Sequence, residues 1–129
     1  MERDVSTDKK LILVVDDEIG IVAFMRDLLE SMGYRVLTAA SGADAVALYM
    51  QKRKEIDLVF LDMIMPGMRG GAAFDALRAM NPELKIILSS GLCADGEVRK
   101  LLDKGGSWFI QKPFRIASIS KMLQEAFKG

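Results

Sequence analysis

Apolar residues along this chain fall into two alternating kinds of segment. Leu11-Ile12-Leu13-Val14-Val15 is a short unbroken apolar run that stops at Asp16-Asp17-Glu18. Such a run predicts a strand buried on both faces. From Ile19 to Met32 the spacing changes: Val22, Met25, Leu28, Leu29 and Met32 recur at a helical period, and Gly33 closes the helix. The alternation then repeats to the C-terminus. Strands are predicted at Arg35–Ala39, Leu58–Asp62, Lys85–Ser89 and Ser107–Gln111. The second helix runs from Ser41, an N-cap with Asp44 placed for a capping interaction, to about Arg53. The third starts at about Ala72 and is stopped by Asn81-Pro82. The fourth lies near Ala94 to Lys104, and Ile116, Ile119, Leu123 and Phe127 mark the last. Residues 63–71, with Pro66 and three glycines, are expected to form a loop.

Five short apolar strands alternating with five helices imply an α/β fold, a parallel sheet covered on both faces. Right-handed crossovers and one reversal of strand order give a doubly wound, flavodoxin-like (βα)5 arrangement with strand order 2-1-3-4-5. Ligands of such sheets bind beyond the carboxyl ends of the strands, where the order reverses, here between the first and third strands. The expected organisation is a flexible segment over residues 1–9 and one domain over residues 10–129.

Composition narrows the chemistry. Eighteen basic residues balance eighteen acidic ones, which gives no reason to expect a nucleic-acid surface or an electrostatic membrane anchor. The first ten residues lack the apolar centre of a signal peptide, and no apolar run approaches membrane-spanning length. With a single cysteine, Cys93, no internal disulfide can form, and the expected compartment is the cytoplasm. The chain contains no histidine. Serine or cysteine catalysis assisted by histidine is excluded, as are histidine metal sites.

The strand ends carry the polar residues. The first strand delivers Asp16 and Asp17, the third Asp62, the fourth Ser89 and Ser90, and the fifth leads into Lys112. Clustered carboxylates with no nitrogen or sulfur ligand suit a hard divalent cation, Mg²⁺ first. A carboxylate beside Mg²⁺, an ammonium and a hydroxyl is equipped for phosphoryl transfer, with Asp62 as nucleophile and Lys112 offsetting charge on the phosphoryl oxygens. Each residue also has a bland reading: Asp17 could cap the first helix, and Lys112 could be a solvated charge. Their joint placement at successive strand ends makes the bland set the weaker account.

At these positions the chain resembles the receiver domain of bacterial response regulators. The resemblance rests on Val14-Val15-Asp16-Asp17-Glu18, Leu61-Asp62-Met63-Ile64-Met65-Pro66-Gly67-Met68, Leu88-Ser89-Ser90-Gly91 and Gln111-Lys112-Pro113-Phe114, and extends from Lys10 onward. It implies that Asp62 is phosphorylated and that Asp17 ligates Mg²⁺ directly, with Asp16 acting largely through water and the Ile64 carbonyl as a further ligand. Ser90 then bonds the phosphoryl group, whereas Ser89 points to the opposite face. Lys112 pairs with the phosphoryl oxygens, and the Lys112–Pro113 bond is cis. Phe109 takes the aromatic switch position and turns inward when Ser90 moves, changing the face of helix four, strand five and helix five for a partner. Trp108 faces the other side of its strand.

The resemblance further implies a histidine kinase or histidine phosphotransfer protein as donor, with no nucleic acid and no membrane contact. A homodimer through the switching face is open to it; the domain either stands alone or belongs to a larger protein, of which a hybrid sensor histidine kinase is the favoured kind. Two apolar positions depart from many receivers: Ile64, two residues after Asp62, and Leu92, two after Ser90. Neither can orient a hydrolytic water, so slow loss of the phosphoryl group is expected.

Competing functions fit less well. A haloacid-dehalogenase-like phosphatase wants a second acid where Ile64 stands. A flavodoxin wants a phosphate loop after the first strand, where Asp16-Asp17-Glu18 would repel phosphate. An inert binding module leaves the acids, serine and lysine unexplained. Met63, Met65 and Met68 read as packing rather than a soft-metal site, and Cys93 has no resolving partner.

Overall fold

The computed structural model describes residues 9–63, 70–91, 96–103 and 107–128. Along the chain run β1 (Leu11–Val15), α1 (Ile19–Ser31), β2 (Arg35–Ala39), α2 (Gly42–Lys52), β3 (Ile56–Asp62), α3 (Gly70–Met80), β4 (Lys85–Ser90), α4 (Gly96–Asp103), β5 (Ser107–Gln111) and α5 (Ile116–Ala126). The strands form one parallel sheet in the order β2-β1-β3-β4-β5, as the sequence pattern predicts.

Side chains alternate across a strand, so each apolar run feeds two cores. Leu11, Leu13, Val15, Val59, Leu61, Ile86 and Leu88 pack on one face with Ala45 and Tyr49 of α2 and Ala73, Phe74 and Leu77 of α3. Ile12, Val14, Leu58, Phe60 and Ile87 pack on the other with Met25 and Leu29 of α1 and Ile119 and Leu123 of α5. That double burial is why the central strands show no polar alternation.

Helix ends follow local chemistry. Gly33 has φ of 96°, its N–H donates to the Glu30 carbonyl, and the Tyr34 N–H donates to the Leu29 carbonyl. This is the Schellman closure that the glycine predicts. At α2, the Ser41 hydroxyl accepts the Asp44 N–H at 3.1 Å. After α3, the Asn81 side chain accepts the Glu83 N–H at 3.0 Å and donates to the Tyr49 hydroxyl at 3.0 Å, which ties α2 to the turn.

Two elements begin two residues earlier than the sequence predicts. β3 begins two residues early, at Ile56, because a register shift against β1 accommodates Asp57, whose carboxylate accepts the Leu11 N–H at 2.8 Å. α3 begins at Gly70 rather than near Ala72, so two of the three expected loop glycines lie in its first turn. α4 is observed over Gly96–Asp103; the remainder of the expected Ala94–Lys104 helix lies outside the described residues, as do residues 1–8 of the expected N-terminal segment. Among the described residues, no helix is long and apolar enough to cross a membrane.

Candidate functional site

All five strands run the same way, so their carboxyl ends share one edge. β1 and β3 are neighbours there because the strand order reverses between them. Asp16 and Asp17 follow β1, Asp62 ends β3, Ser89 and Ser90 end β4, and Lys112 follows β5. Backbone bonds lock this edge together: the Asp16 N–H donates to the Ala39 carbonyl, Met63 N–H to Ser89, and Lys112 N–H to Ser90.

One carboxylate oxygen from each of Asp16, Asp17 and Asp62 lies within 4.8 Å of the others. Asp16 and Asp62 are buried, at 3% and 2% exposure, and Asp17 is exposed. The Lys112 ammonium reaches into this group. Nζ lies 2.8 Å from Asp16 Oδ2, 3.3 Å from Asp62 Oδ2 and 3.4 Å from Glu18 Oε1. Burial alone would push the Lys112 pKa down, but its hydrogen bond to Asp16 and the charge of Asp62 more than offset that, and the ammonium is held above the usual lysine range. Asp16 is held a second time, since its Oδ1 accepts the Glu18 N–H at 2.9 Å. Asp16 therefore takes the helix-start N–H, not Asp17, and Glu18 is the N-cap of α1 with no side-chain cap of its own. Asp17 is not spent as a helix cap.

The two serines diverge as the alternation requires. Ser89 lines a small space with Val14, Phe60 and Phe114, on the α1/α5 side. Ser90 continues the register of Leu88 and is buried at 3% exposure. Phe109 pairs with Leu88 and packs half-buried against the same core, so by alternation Ser90 and Phe109 share a face. Trp108 packs against the opposite core. The Lys112–Pro113 peptide bond is cis. Ile64, expected to offer its carbonyl, lies outside the described residues, as do Met65, Met68, Leu92 and Cys93.

The donor set fits a hard divalent cation: among the described residues it is three carboxylates with no nitrogen or sulfur ligand, close enough together to hold one ion. Sequence reasoning had Lys112 facing Asp62. It missed that Asp16 is the shorter contact and that Glu18 is a third partner. The only available hint was that Glu18 directly follows the acidic pair.

Residues 12–124 match the family model of the response regulator receiver domain. The chain belongs to that receiver family. The receiver is 32% identical over 122 residues to the sensor kinase CckA of Brucella abortus, an alignment that covers 95% of this chain and 13% of CckA. It is 30% identical over 118 residues to the chemotaxis protein CheY of Listeria monocytogenes, covering 91% of this chain and 98% of that protein. Among solved structures, the CheX-CheY-BeF3-Mg²⁺ complex from Borrelia burgdorferi is similar at a TM-score of 0.87 and 30% identity, over 93% of this receiver and 90% of that chain. Vibrio cholerae CheY4 is similar at a TM-score of 0.83 and 28% identity, over 92% and 99% of the two chains. Receiver domains are regulatory switches in two-component signalling rather than enzymes in the usual sense.

Proposed function

We propose that this receiver takes a phosphoryl group onto Asp62 from a partner phosphohistidine. The observation that carries the reading is the placement of Lys112 Nζ 3.3 Å from Asp62 Oδ2, beside a trio of carboxylates suited to a divalent cation. An Asp62 carboxylate oxygen attacks phosphorus, the phosphorus–nitrogen bond of the donor breaks, and an acyl phosphate forms as the donor imidazole leaves and regains its proton. Because these 129 residues contain no histidine, the phosphohistidine must lie outside them, in a histidine kinase or a histidine phosphotransfer protein.

Lys112 offsets charge on the phosphoryl oxygens, and the buried Ser90 hydroxyl donates to one of them. Asp16, Asp17 and Asp62 would hold Mg²⁺, with the Ile64 carbonyl as a further ligand; when bound, the ion neutralises charge on the transferred group. The Mg²⁺ present in the Borrelia CheY complex supports that choice of ion. Ser90 drawn toward phospho-Asp62 leaves space on the face it shares with Phe109, and Phe109 turns in, altering the α4/β5/α5 surface that an output partner or a second copy reads. A groove of about 260 Å³ between α1 and the β5–α5 loop, lined by Gly20, Ile21, Phe24, Lys112, Pro113 and Phe114, gives the donor an apolar seat next to the reacting lysine. The expected setting is cytoplasmic, and the relation to CckA supports a hybrid sensor kinase as parent protein.

Incubation with acetyl phosphate and Mg²⁺, followed by intact mass measurement, tests the assignment. A phosphate-sized gain is expected for the wild type, lost in Asp62→Asn and on chelation of Mg²⁺. A gain that survives Asp62→Asn would overturn it, and steady turnover of a phosphate ester would indicate a phosphatase instead.

A further inference from the structure

The cation suited to the acidic trio and the ammonium of Lys112 draw on two of the same carboxylates, those of Asp16 and Asp62. Nζ already occupies Asp16 Oδ2 and Asp62 Oδ2, at 2.8 Å and 3.3 Å. A divalent ion seated on those carboxylates would repel an ammonium at contact distance, so Lys112 has to give ground. Its third contact, Glu18 Oε1 at 3.4 Å, lies outside the trio. The Glu18 side chain is 63% exposed, yet its backbone is pinned, because its N–H donates to Asp16 Oδ1 and it begins α1 as N-cap. Its carboxylate is thus anchored beside the cluster without belonging to it.

We infer that Glu18 is a positioning residue: it keeps the Lys112 ammonium beside Asp62 when a divalent cation draws Asp16 and Asp62 away. The inference rests on the Mg²⁺-dependent reading of the site and adds a residue to it. Lys112 then shifts toward Glu18 instead of swinging into solvent, and stays within reach of an incoming phosphoryl group. A simpler role for Glu18 would be a negative charge acting on the cation through space. The two roles differ in whether the effect passes through Lys112.

Calorimetric titration of the folded receiver with Mg²⁺ separates them, using wild type, Glu18→Gln, Lys112→Met and the double variant. Glu18→Gln should weaken Mg²⁺ binding about three-fold, the size of a partly exposed ion pair. Lys112→Met should tighten it by removing the competitor, and Glu18→Gln should add nothing in that background. An equal loss in both backgrounds, or no loss with Lys112 present, overturns the inference. A second measurement leaves Lys112 in place: nitrogen relaxation of its ammonium should show it ordered in Mg²⁺-saturated wild type and mobile in Glu18→Gln. A mobile ammonium in the saturated wild type also overturns it. Failure of the wild type to bind Mg²⁺ at all would sink the reading of the site with it, whereas Mg²⁺ uptake indifferent to Glu18 sinks only the role of Glu18.

Discussion

Lys112 is partly buried, and burial by itself favours the neutral amine; the hydrogen bond to Asp16 and the field of Asp62 reverse that balance and raise its pKa. A folded-state pKa above the unfolded one means that stability is fully present below the unfolded lysine value of about 10.4 and is lost as pH rises through the folded value. Lys112→Met carries no such dependence. The wild type should therefore be the more stable of the two near pH 8, and the gap in urea midpoint should close as pH is raised beyond the unfolded lysine value of about 10.4. Tyr34, whose pKa burial raises, also loses stability in alkali, but it does so in both proteins and cancels in the difference. A gap that stays constant across that range would mean the ammonium contributes nothing through its charge. At neutral pH the same shift keeps Lys112 charged, as its part in offsetting phosphoryl oxygens requires.

At the scale of elements, α1 holds one glycine and is closed by another, and their substitutions should act in opposite directions. Gly33 sits past the helix end with φ of 96°, and a Cβ there would meet nothing within 4 Å, so the cost of Gly33→Ala is backbone strain alone, about 1–2 kcal/mol. Gly20 lies in the first turn with equally open surroundings, and Gly20→Ala should stabilise by about 0.5 kcal/mol through helix propensity and a less flexible unfolded chain. Urea unfolding of the two variants checks both signs. Gly33 was legible in the sequence because a helical period stops there, and β1 and β4 were legible because strands buried on both faces read as unbroken apolar runs. The start of β3 was not. Asp57 interrupts the run, and its purpose is a bond to the Leu11 N–H, 46 residues away, for which no local signal exists. The site divides in the same way. That acids, serines and lysine would meet on one edge followed from topology, but their pairing did not, because the preference of Lys112 for Asp16 over Asp62 depends on side-chain reach across strands.

For the molecule as a whole, the two cores stabilise a fold that carries an electrostatic liability at its edge. Lys112 compensates Asp16 and Asp62 directly, while Asp17 stands exposed with a carboxylate oxygen within 4.8 Å of oxygens from both. In water-like surroundings two like charges at that distance cost about 1 kcal/mol. Asp17→Asn should accordingly raise stability by about 1 kcal/mol in chelator, where no cation offsets the repulsion. In Mg²⁺ the ranking should reverse. A ligand that binds only the folded state stabilises it by about 2.7 kcal/mol at a hundred times its dissociation constant, and Asp17→Asn would lose most of that gain with its affinity. Denaturant unfolding of both proteins, with chelator and across a Mg²⁺ series, should give curves of stability against Mg²⁺ concentration that cross. Curves that never cross, with the wild type the more stable even in chelator, would show that Asp17 serves the fold rather than the cation. Crossing curves would locate in Asp17 a residue the fold tolerates at a cost, because the same three carboxylates that repel one another when bare are what a divalent cation requires.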